Sequence, residues 1–245
     1  MHILVIDGNH VEAEFRAKFG ATHEYTFLLN HWEAPAGEHD SRKEALKKAG
    51  EAANVIFDFH SSLYAPVIAR PGQMVFVDTV EMNLIDKVRF TKRSPSNPRP
   101  TASGQLPFQI FGFCGLPTLL NRPLLEVSIS NEADREKLAE TCAALGTDYR
   151  VVADRVGLVT PRVICQIINE ACFTVQEGTA TMQDVDLGMK LGTNYPHGPF
   201  AWANAIGVER VYAVLEAMWH DTHDERYKVC PLLKHQALRG EPFAV

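Results

Sequence analysis

Apolar runs of four to six residues recur through residues 1–154, and polar or helix-like stretches separate them. This pattern predicts strands that alternate with helices. The first run, 2–7, is continuous and stops at Gly8, as expected of a buried parallel strand. The other predicted strands are 25–29, 54–59, 73–78, 108–113, 124–129 and 149–152, and the predicted helices are 11–18, 42–52 and 131–145. We therefore predict a parallel sheet in a doubly wound, Rossmann-like α/β domain over residues 1–154.

Residues 155–245 have helical periodicity and predict an all-helical second domain. Thr160 followed by Pro161 has the form of an N-cap and a first helical residue. Apolar residues then recur on one face of this helix until Gly178. The further predicted helices run from Thr181 to Gly192, from Pro199 to Gly207, over 208–220 and over 231–238.

Residues 86–107 interrupt the pattern of the first domain. They contain Pro95, Pro98, Pro100 and Pro107 together with Lys87, Arg89, Lys92, Arg93 and Arg99. Prolines at this spacing predict an extended loop. A basic loop beside a crevice is suited to a phosphate-bearing ligand, and a solvated insertion is the other interpretation.

Composition and charge narrow the class of protein. The 245 residues are 46% hydrophobic and 22% charged, typical of a globular protein with one large or two smaller domains. The net charge of -6 argues against a nucleic-acid partner. An apolar run long enough for a membrane span and a signal-peptide pattern are both absent from the sequence, so we expect no membrane association and a cytoplasmic location.

The five cysteines have irregular spacing without a C-x-x-C pair. That pattern indicates reduced thiols, and neither a disulfide framework nor a zinc site is expected. The ten histidines are scattered as well, so we predict no metal site.

The helical half carries several short motifs in one order. They are 169–171 (Asn-Glu-Ala), 184–186 (Asp-Val-Asp), 189–192 (Met-Lys-Leu-Gly), 195–200 (Tyr-Pro-His-Gly-Pro-Phe), 224–228 (Asp-Glu-Arg-Tyr-Lys) and 231–234 (Pro-Leu-Leu-Lys). Their order and spacing closely resemble the C-terminal domain of the 3-hydroxyacyl-CoA dehydrogenase family. The resemblance implies a Rossmann domain that binds NAD and a helical domain. Function must still be argued at the site, since related folds host different chemistries.

The resemblance implies a Gly-x-Gly-x-x-Gly turn after the first strand, where missing side chains let the pyrophosphate of NAD approach a helix N-terminus. Asp7, Asn9 and Glu12 stand at the three glycine positions, and Gly8 is the glycine that remains. Carboxylates at 7 and 12 would repel a pyrophosphate. We therefore expect NAD binding at the Asp7, Gly8 and Asn9 positions to be weak or absent.

The family's catalytic positions are also altered. The resemblance implies a His base in the strand matching 112–118 and a Glu twelve residues later that orients it. Cys114 stands at the His position and Glu126 at the Glu position. Val80 and Pro161 replace a substrate-contacting Ser and an Asn. A buried thiol is a poor general base at neutral pH, so Cys114 is either a packing residue or a changed catalytic group, and Glu126 either pairs within the cleft or retains a catalytic role.

A different chemistry is an open alternative. Asp7, Asp58, His60, Asp78 and Cys114 all fall at or near the carboxyl ends of predicted strands. That edge is where open α/β sheets bind ligands, so these residues are able to form a nucleophile and its base.

The sequence thus predicts a degenerate family member that binds an acyl-CoA-type small molecule or has a structural role, with little hydride transfer. The alternative is an active NAD-dependent 3-hydroxyacyl-CoA oxidoreductase of fatty acid metabolism with a rearranged site. The interval 31–53 is too short for the helical hairpin with which the family clamps coenzyme A. Large apolar residues in the helical half predict a homodimer through these helices; they are Phe200, Trp202, Ile206, Tyr212 and Trp219.

Overall fold

A computed structural model describes residues 1–30, 35, 37–60, 68–93 and 106–245. The chain divides into two compact units, Met1–Gly115 with Leu119–Leu158, and Leu116–Thr118 with Val159–Val245. Across the described residues, every helix is too short or too polar to cross a membrane.

The described residues of the first unit form a seven-stranded sheet and four α-helices. The strands are β1 His2–Ile6, β2 Glu24–Leu28, β3 Val55–Asp58, β4 Met74–Asp78, β5 Gln109–Phe113, β6 Leu124–Ile129 and β7 Asp148–Val151. The helices are α1 Glu12–Phe19, α2 His39–Ala52, α3 Leu84–Arg93 and α4 Arg135–Leu145. The strand order is β2-β1-β3-β4-β5-β6-β7. Each predicted strand is present within one residue at either end, and the predicted α/β fold class is confirmed.

The direction of the last two strands corrects the prediction of a parallel sheet. Strands β1 to β5 are parallel, whereas β6 is antiparallel to β5 and β7 is parallel to β6. The connection from β5 to β6 is residues 114–123, which contain no helix. A parallel return needs a longer crossover, usually a helix, so this short connection reverses the chain.

Side chains alternate between the two faces of the sheet, and both faces are apolar. On one face the buried aromatic residues Phe57, Phe76, Phe111 and Phe113 pack with Phe15 and Phe19 of α1. On the other face Leu4, Ile56, Val75 and Ile110 pack with Leu46 of α2 and Leu84 of α3. Two apolar faces fit a sheet that helices cover on both sides.

The second unit consists of α5 Thr160–Gln176, α6 Met182–Thr193, α7 Pro199–Ile206, α8 Val208–Thr222 and α9 Pro231–Arg239. Its core contains Ile164, Cys165, Ile168, Val211, Leu215 and Met218. The predicted Thr181 cap is confirmed, because its side chain accepts a hydrogen bond from the Asp184 N–H. The predicted start at Pro199 and stop at Gly207 are confirmed as well.

Three predictions about helices are wrong. Thr160 is the first residue of α5, and Val159 is the N-cap. Helix α6 continues past Gly192 to Thr193, because Asn194 adopts the left-handed conformation that ends a helix. The predicted loop over 86–107 begins as a helix, because α3 extends to Arg93 and the four prolines all lie beyond it. Residues 94–105 lie outside the described residues.

Candidate functional site

The site expected from the topology lies at the carboxyl edge of the sheet, where β1 to β5 end. Strand β1 has β2 on one side and β3 on the other, so the chain crosses β1 between these two strands. Open α/β sheets bind ligands in the crevice at such a switch point. Asp7 directly follows β1, Asp58 ends β3, Asp78 ends β4 and Cys114 directly follows β5. The predicted placement of these residues on one edge is therefore confirmed.

Asp7 is bound to the end of β2. Its φ of 57° lies in the left-handed region, which Asp tolerates better than most residues and which lets the chain turn sharply after β1. Its carboxylate accepts hydrogen bonds from the Asn30 N–H at 2.8 Å and from Asn30 Nδ2 at 2.6 Å. Asn30 is buried. Dinucleotide-binding domains place a ribose-binding acid about 20 residues after the fingerprint, and Asn30 is 23 residues after Asp7.

The sequence interpretation did not identify Asn30. Its position two residues after β2, at about the spacing of the ribose-binding acid, is the signal that indicates it. Its pairing with Asp7 depends on β1 and β2 being neighbours, which the sequence of either strand alone does not determine.

Glu12, at the third fingerprint position, also has a partner. A short 3-10 helix, Asn9–Val11, separates Asp7 from α1, so Glu12 is the first residue of that helix. Its carboxylate accepts from Arg16 Nε at 2.9 Å. This pair lies at the surface, and the expected repulsion of a pyrophosphate by Glu12 is therefore reduced. Of the two carboxylates, Asp7 is therefore the greater obstacle to a pyrophosphate.

Phe59 covers Gly8. A methyl group on Gly8 would lie 2.9 Å from two carbons of the Phe59 ring, and a methyl group on Gly115 would lie 2.7 Å from its opposite edge. The Phe59 side chain is 8% exposed. The sequence interpretation did not identify Phe59 as a site residue, because an aromatic residue after a buried strand is usual in a core.

Two carboxyl groups of the carboxyl edge are perturbed by burial. Burial raises the pKa of Asp78 to about 6, and the nearby Lys87 acts in the opposite direction. Burial also raises the pKa of Asp58, again against Lys87. Asp58 accepts from the His60 N–H at 2.9 Å, and Lys87 Nζ donates to the His60 carbonyl at 3.2 Å. An acid whose pKa is near 6 is able to give or take a proton at neutral pH.

The spacing of twelve residues between Cys114 and Glu126 has a structural origin. Strands β5 and β6 pair antiparallel, with Phe113 opposite Val127. Continuing that register by one residue places Cys114 opposite Glu126, with both side chains on one face. Cys114 is buried and Glu126 is half-buried. Both residues thus adjoin the last pair of the two strands, and a catalytic role for either residue stays a prediction.

The other two altered positions are buried. Val80, at the position of the family's substrate-contacting Ser, is 1% exposed. In the second unit, Pro161 is a buried residue of the first turn of α5. Neither side chain can hydrogen-bond a ligand, since both are apolar.

The described residues do not fit a dinucleotide bound in the fingerprint mode. The pyrophosphate needs close backbone approach at the first turn. Here the Phe59 ring packs on Gly8, and Asp7 and Asn30 bind each other. In the part of the chain that the structure describes, His, Cys, Asp and Glu side chains form no group of three or more suited to a metal ion.

In the helical unit, two motif residues have structural roles. Asp186 accepts from the Phe200 N–H at 2.7 Å and from the Ala201 N–H at 2.9 Å, so it caps the start of α7. Asn169 accepts from the Cys230 N–H and donates to the Lys228 carbonyl. These bonds fix the start of α7 and the segment before α9, and they give these two motif residues a structural role that needs no ligand.

Comparison with known proteins identifies relatives of the helical unit. Residues 157–242 match the family model of the 3-hydroxyacyl-CoA dehydrogenase C-terminal domain. The 3-hydroxyadipyl-CoA dehydrogenase of Escherichia coli K12 is 44% identical over 87 residues, which are 36% of this chain and 18% of that protein.

A second relative extends the match beyond the helical unit. A probable 3-hydroxybutyryl-CoA dehydrogenase of Deinococcus radiodurans is 31% identical over 153 residues, 61% of this chain and 55% of that protein. The chain thus spans less than two thirds of the length of either of these curated relatives. The crystal structure of FadB2 from M. tuberculosis is similar over 97% of this chain and 93% of that one, with a TM-score of 0.70 and 16% identity. That likeness shows the fold alone.

Proposed function

We propose that this chain, as a member of the 3-hydroxyacyl-CoA dehydrogenase family, binds a small molecule without catalysing NAD-dependent hydride transfer. The observation that carries the proposal is the Asp7–Asn30 pair, with an Asn30 Nδ2 to Asp7 carboxylate distance of 2.6 Å. A pyrophosphate at the first turn would lie against this carboxylate. Repulsion between two charges at about 4 Å is roughly 1 kcal/mol in water and several-fold larger in a partly buried site.

The altered catalytic positions support the same proposal. Cys114 and Glu126 stand where the resemblance implies the family's base and its orienting acid, and they flank the last pair of β5 and β6, Phe113 opposite Val127. A thiol is a weaker general base than an imidazole near pH 7. Hydride transfer also needs donor and acceptor in reactive contact, which contributes roughly 7 to 11 kcal/mol. A site without a bound dinucleotide cannot provide that contact.

The proposed ligand is an acyl-CoA-type small molecule. Helix α3 ends in exposed cations, Arg89, Lys92 and Arg93. Guanidinium and ammonium groups bind phosphate oxygens well, so these residues are suited to the diphosphate of coenzyme A. Arg99, the remaining cation of the predicted loop, lies outside the described residues.

The test measures binding and turnover on the same preparation. We expect NAD+ and NADH to bind with dissociation constants above about 1 mM, under about 4 kcal/mol, by calorimetry. We expect no NADH consumption with acetoacetyl-CoA, and a higher melting temperature with an acyl-CoA. An Arg89→Ala/Arg93→Ala variant is expected to lose that shift, whereas Arg135→Ala, an exposed arginine on α4, should keep it. NADH consumption by the wild-type chain would contradict the proposal and favour the active, rearranged oxidoreductase.

We also propose that the protein is cytoplasmic and that it forms a homodimer. A cytoplasmic location is supported by the five cysteines, all of which are free and buried, as in a reducing compartment. A homodimer through the helical unit is supported by exposed apolar side chains of α5 and α6, with Val163 52%, Leu187 58% and Leu191 78% exposed. Exposed apolar surface of this kind commonly marks an interface.

A further inference from the structure

We propose that Phe59 is an intramolecular occupant of the dinucleotide crevice, and that its ring determines the exclusion of dinucleotides from the first unit. This inference rests on the proposed function and adds the residue responsible. Gly8 and Gly115, which have no side chains, leave the space that the Phe59 ring occupies.

The Phe59 ring reaches both sides of the crevice. On the β1 side, its Cδ2 and Cε2 lie 2.9 Å from where a Cβ on Gly8 would be. On the β5 side, its Cδ1 and Cε1 lie 2.7 and 2.9 Å from where a Cβ on Gly115 would be. Carbon atoms do not pack at such distances, so the ring leaves no space for a side chain at either position. At Gly8, Val5 Cγ1 lies closer still to the site of a Cβ and excludes a side chain as well. Gly8, the glycine that remains at the first turn, is therefore already covered by side chains of the chain itself.

Neighbouring groups hold the ring in place. The Phe59 N–H donates to the Ile6 carbonyl at 3.0 Å, which fixes the backbone beside β1. The ring makes an edge-to-face contact with Phe113 at 5.1 Å between centroids and with His10 at 5.9 Å. An aromatic side chain in such contacts buries 150–250 Å². A ligand that displaced the ring would have to expose much of this surface.

The consequence for a dinucleotide is steric as well as electrostatic. Close approach of the pyrophosphate requires bare backbone at the second fingerprint position and its neighbours. Gly8 provides bare backbone, yet the Phe59 ring covers it. Asp7 adds a charge of the wrong sign, so the two residues exclude a dinucleotide by different means.

The test isolates Phe59 in the background of an Asp7→Gly variant. Glycine tolerates the positive φ at this position, so the turn is expected to survive. Calorimetric titration with NAD+ is carried out on wild type, Asp7→Gly, Asp7→Gly/Phe59→Ala and Asp7→Gly/Phe59→Leu. The two double variants are expected to bind NAD+ at least tenfold more tightly than Asp7→Gly alone. The leucine variant keeps more of the core and guards against unfolding of the alanine variant.

Asp7→Gly/Phe19→Ala is the matched control. Phe19, the last residue of α1, is 4% exposed and packs on Phe57 in the same core. Its removal should destabilise the fold without improving NAD+ binding. The inference is overturned if the folded Phe59 variants bind NAD+ no better than Asp7→Gly, or if the Phe19 variant gains as much. NADH consumption by the wild type would contradict the proposed function instead, and the two failures are therefore distinguishable.

Discussion

Asp78, the last residue of β4, shows how burial and hydrogen bonds compete at the carboxyl edge. It accepts hydrogen bonds from the backbone N–H groups of Val80, at 3.1 Å, and of Gly115. Burial raises its pKa to about 6 despite these bonds and the nearby Lys87. Desolvation therefore outweighs the favourable contacts, and the charged form of Asp78 destabilises the folded state.

This pKa predicts a specific dependence of stability on pH. The pKa of Asp78 rises from an ordinary value of 3.8 to about 6 on folding, so the folded state binds more protons between these values. The free energy of unfolding should therefore fall as pH rises from about 4 to about 6 and then level off. One pKa unit corresponds to about 1.4 kcal/mol, which gives a contribution of roughly 1 to 3 kcal/mol.

Urea unfolding of wild type and Asp78→Asn at pH 4.5 and 7.5 measures this contribution. We expect the variant to lose less stability than the wild type between the two pH values. Asp40→Asn, at an exposed carboxylate in the first turn of α2, controls for the removal of one charge. An equal fall in wild type and Asp78→Asn would show that Asp78 is ionised alike in both states.

At the scale of elements, helix starts differ in where their caps come from. The starts of α6 and α7 are marked locally, by Thr181 and by Pro199. Helix α3 has both a local and a distant cap. Asn83 accepts a hydrogen bond from the Asp86 N–H at 2.9 Å, and the Leu84 and Ile85 N–H groups donate to Asp154, about 70 residues away, at 2.7 and 2.8 Å. The distant cap leaves no signal near the helix, and the sequence interpretation gave the prolines of 86–107 more weight than Asn83, so it assigned this segment to a loop.

The same limit applies to the candidate site. Strand ends are visible in the sequence, so the common edge of Asp7, Asp58, Asp78 and Cys114 could be predicted. The pairing of Asp7 with Asn30 and the packing of Phe59 on Gly8 depend on strand order and on side-chain direction. Neither property is encoded in a run of neighbouring residues.

Asp186 adds hydrogen bonds to the locally marked start of α7, and these bonds give a prediction about stability. Asp186 is 9% exposed and accepts two N–H groups at the start of this helix. Asp186→Ala leaves both donors without that partner, and caps and charged hydrogen bonds are each worth about 1 to 3 kcal/mol. We expect a loss of about 2 kcal/mol or more in urea unfolding, and a smaller loss for Asp186→Asn, which keeps one acceptor. Asp221→Ala, at an exposed site near the end of α8, should change stability by less than about 0.5 kcal/mol.

On the scale of the whole molecule, the family likeness is unevenly distributed. The family model covers residues 157–242, while the first unit keeps the fold and has altered fingerprint and catalytic positions. In the helical unit the retained motif residues Asn169 and Asp186 bind backbone groups. Both residues therefore stabilise the helices of this unit. The prediction made for the unit concerns its assembly into a dimer.

The dimer was predicted from large apolar residues of the helical unit, and most of these residues lie in its interior instead of at its surface. Three of the aromatic and aliphatic residues expected at an interface, Phe200, Trp202 and Ile206, are at most 3% exposed within one chain. Exposed apolar side chains of this unit include Val163 on α5 and Leu187 and Leu191 on α6. Between these helices is a cavity of about 380 Å³ lined by Ile167, Glu170, Ala171, Thr174, Val185, Gly188, Met189 and Pro199.

We predict that α5 and α6 form the homodimer contact, with Leu187 and Leu191 at its centre. These side chains are 58% and 78% exposed in the single chain, and burial of a leucine contributes roughly 1.5 to 3 kcal/mol. Light scattering at micromolar concentration should give twice the chain mass of 27.3 kDa for the wild type. Leu187→Glu/Leu191→Glu should give the mass of one chain, since charges in an apolar contact remain unpaired. Leu238→Glu, at a leucine on α9 that is 68% exposed, should leave the dimer intact. A wild type that scatters as 27.3 kDa would contradict the dimer, and a dimeric Leu187→Glu/Leu191→Glu variant would place the contact on another surface.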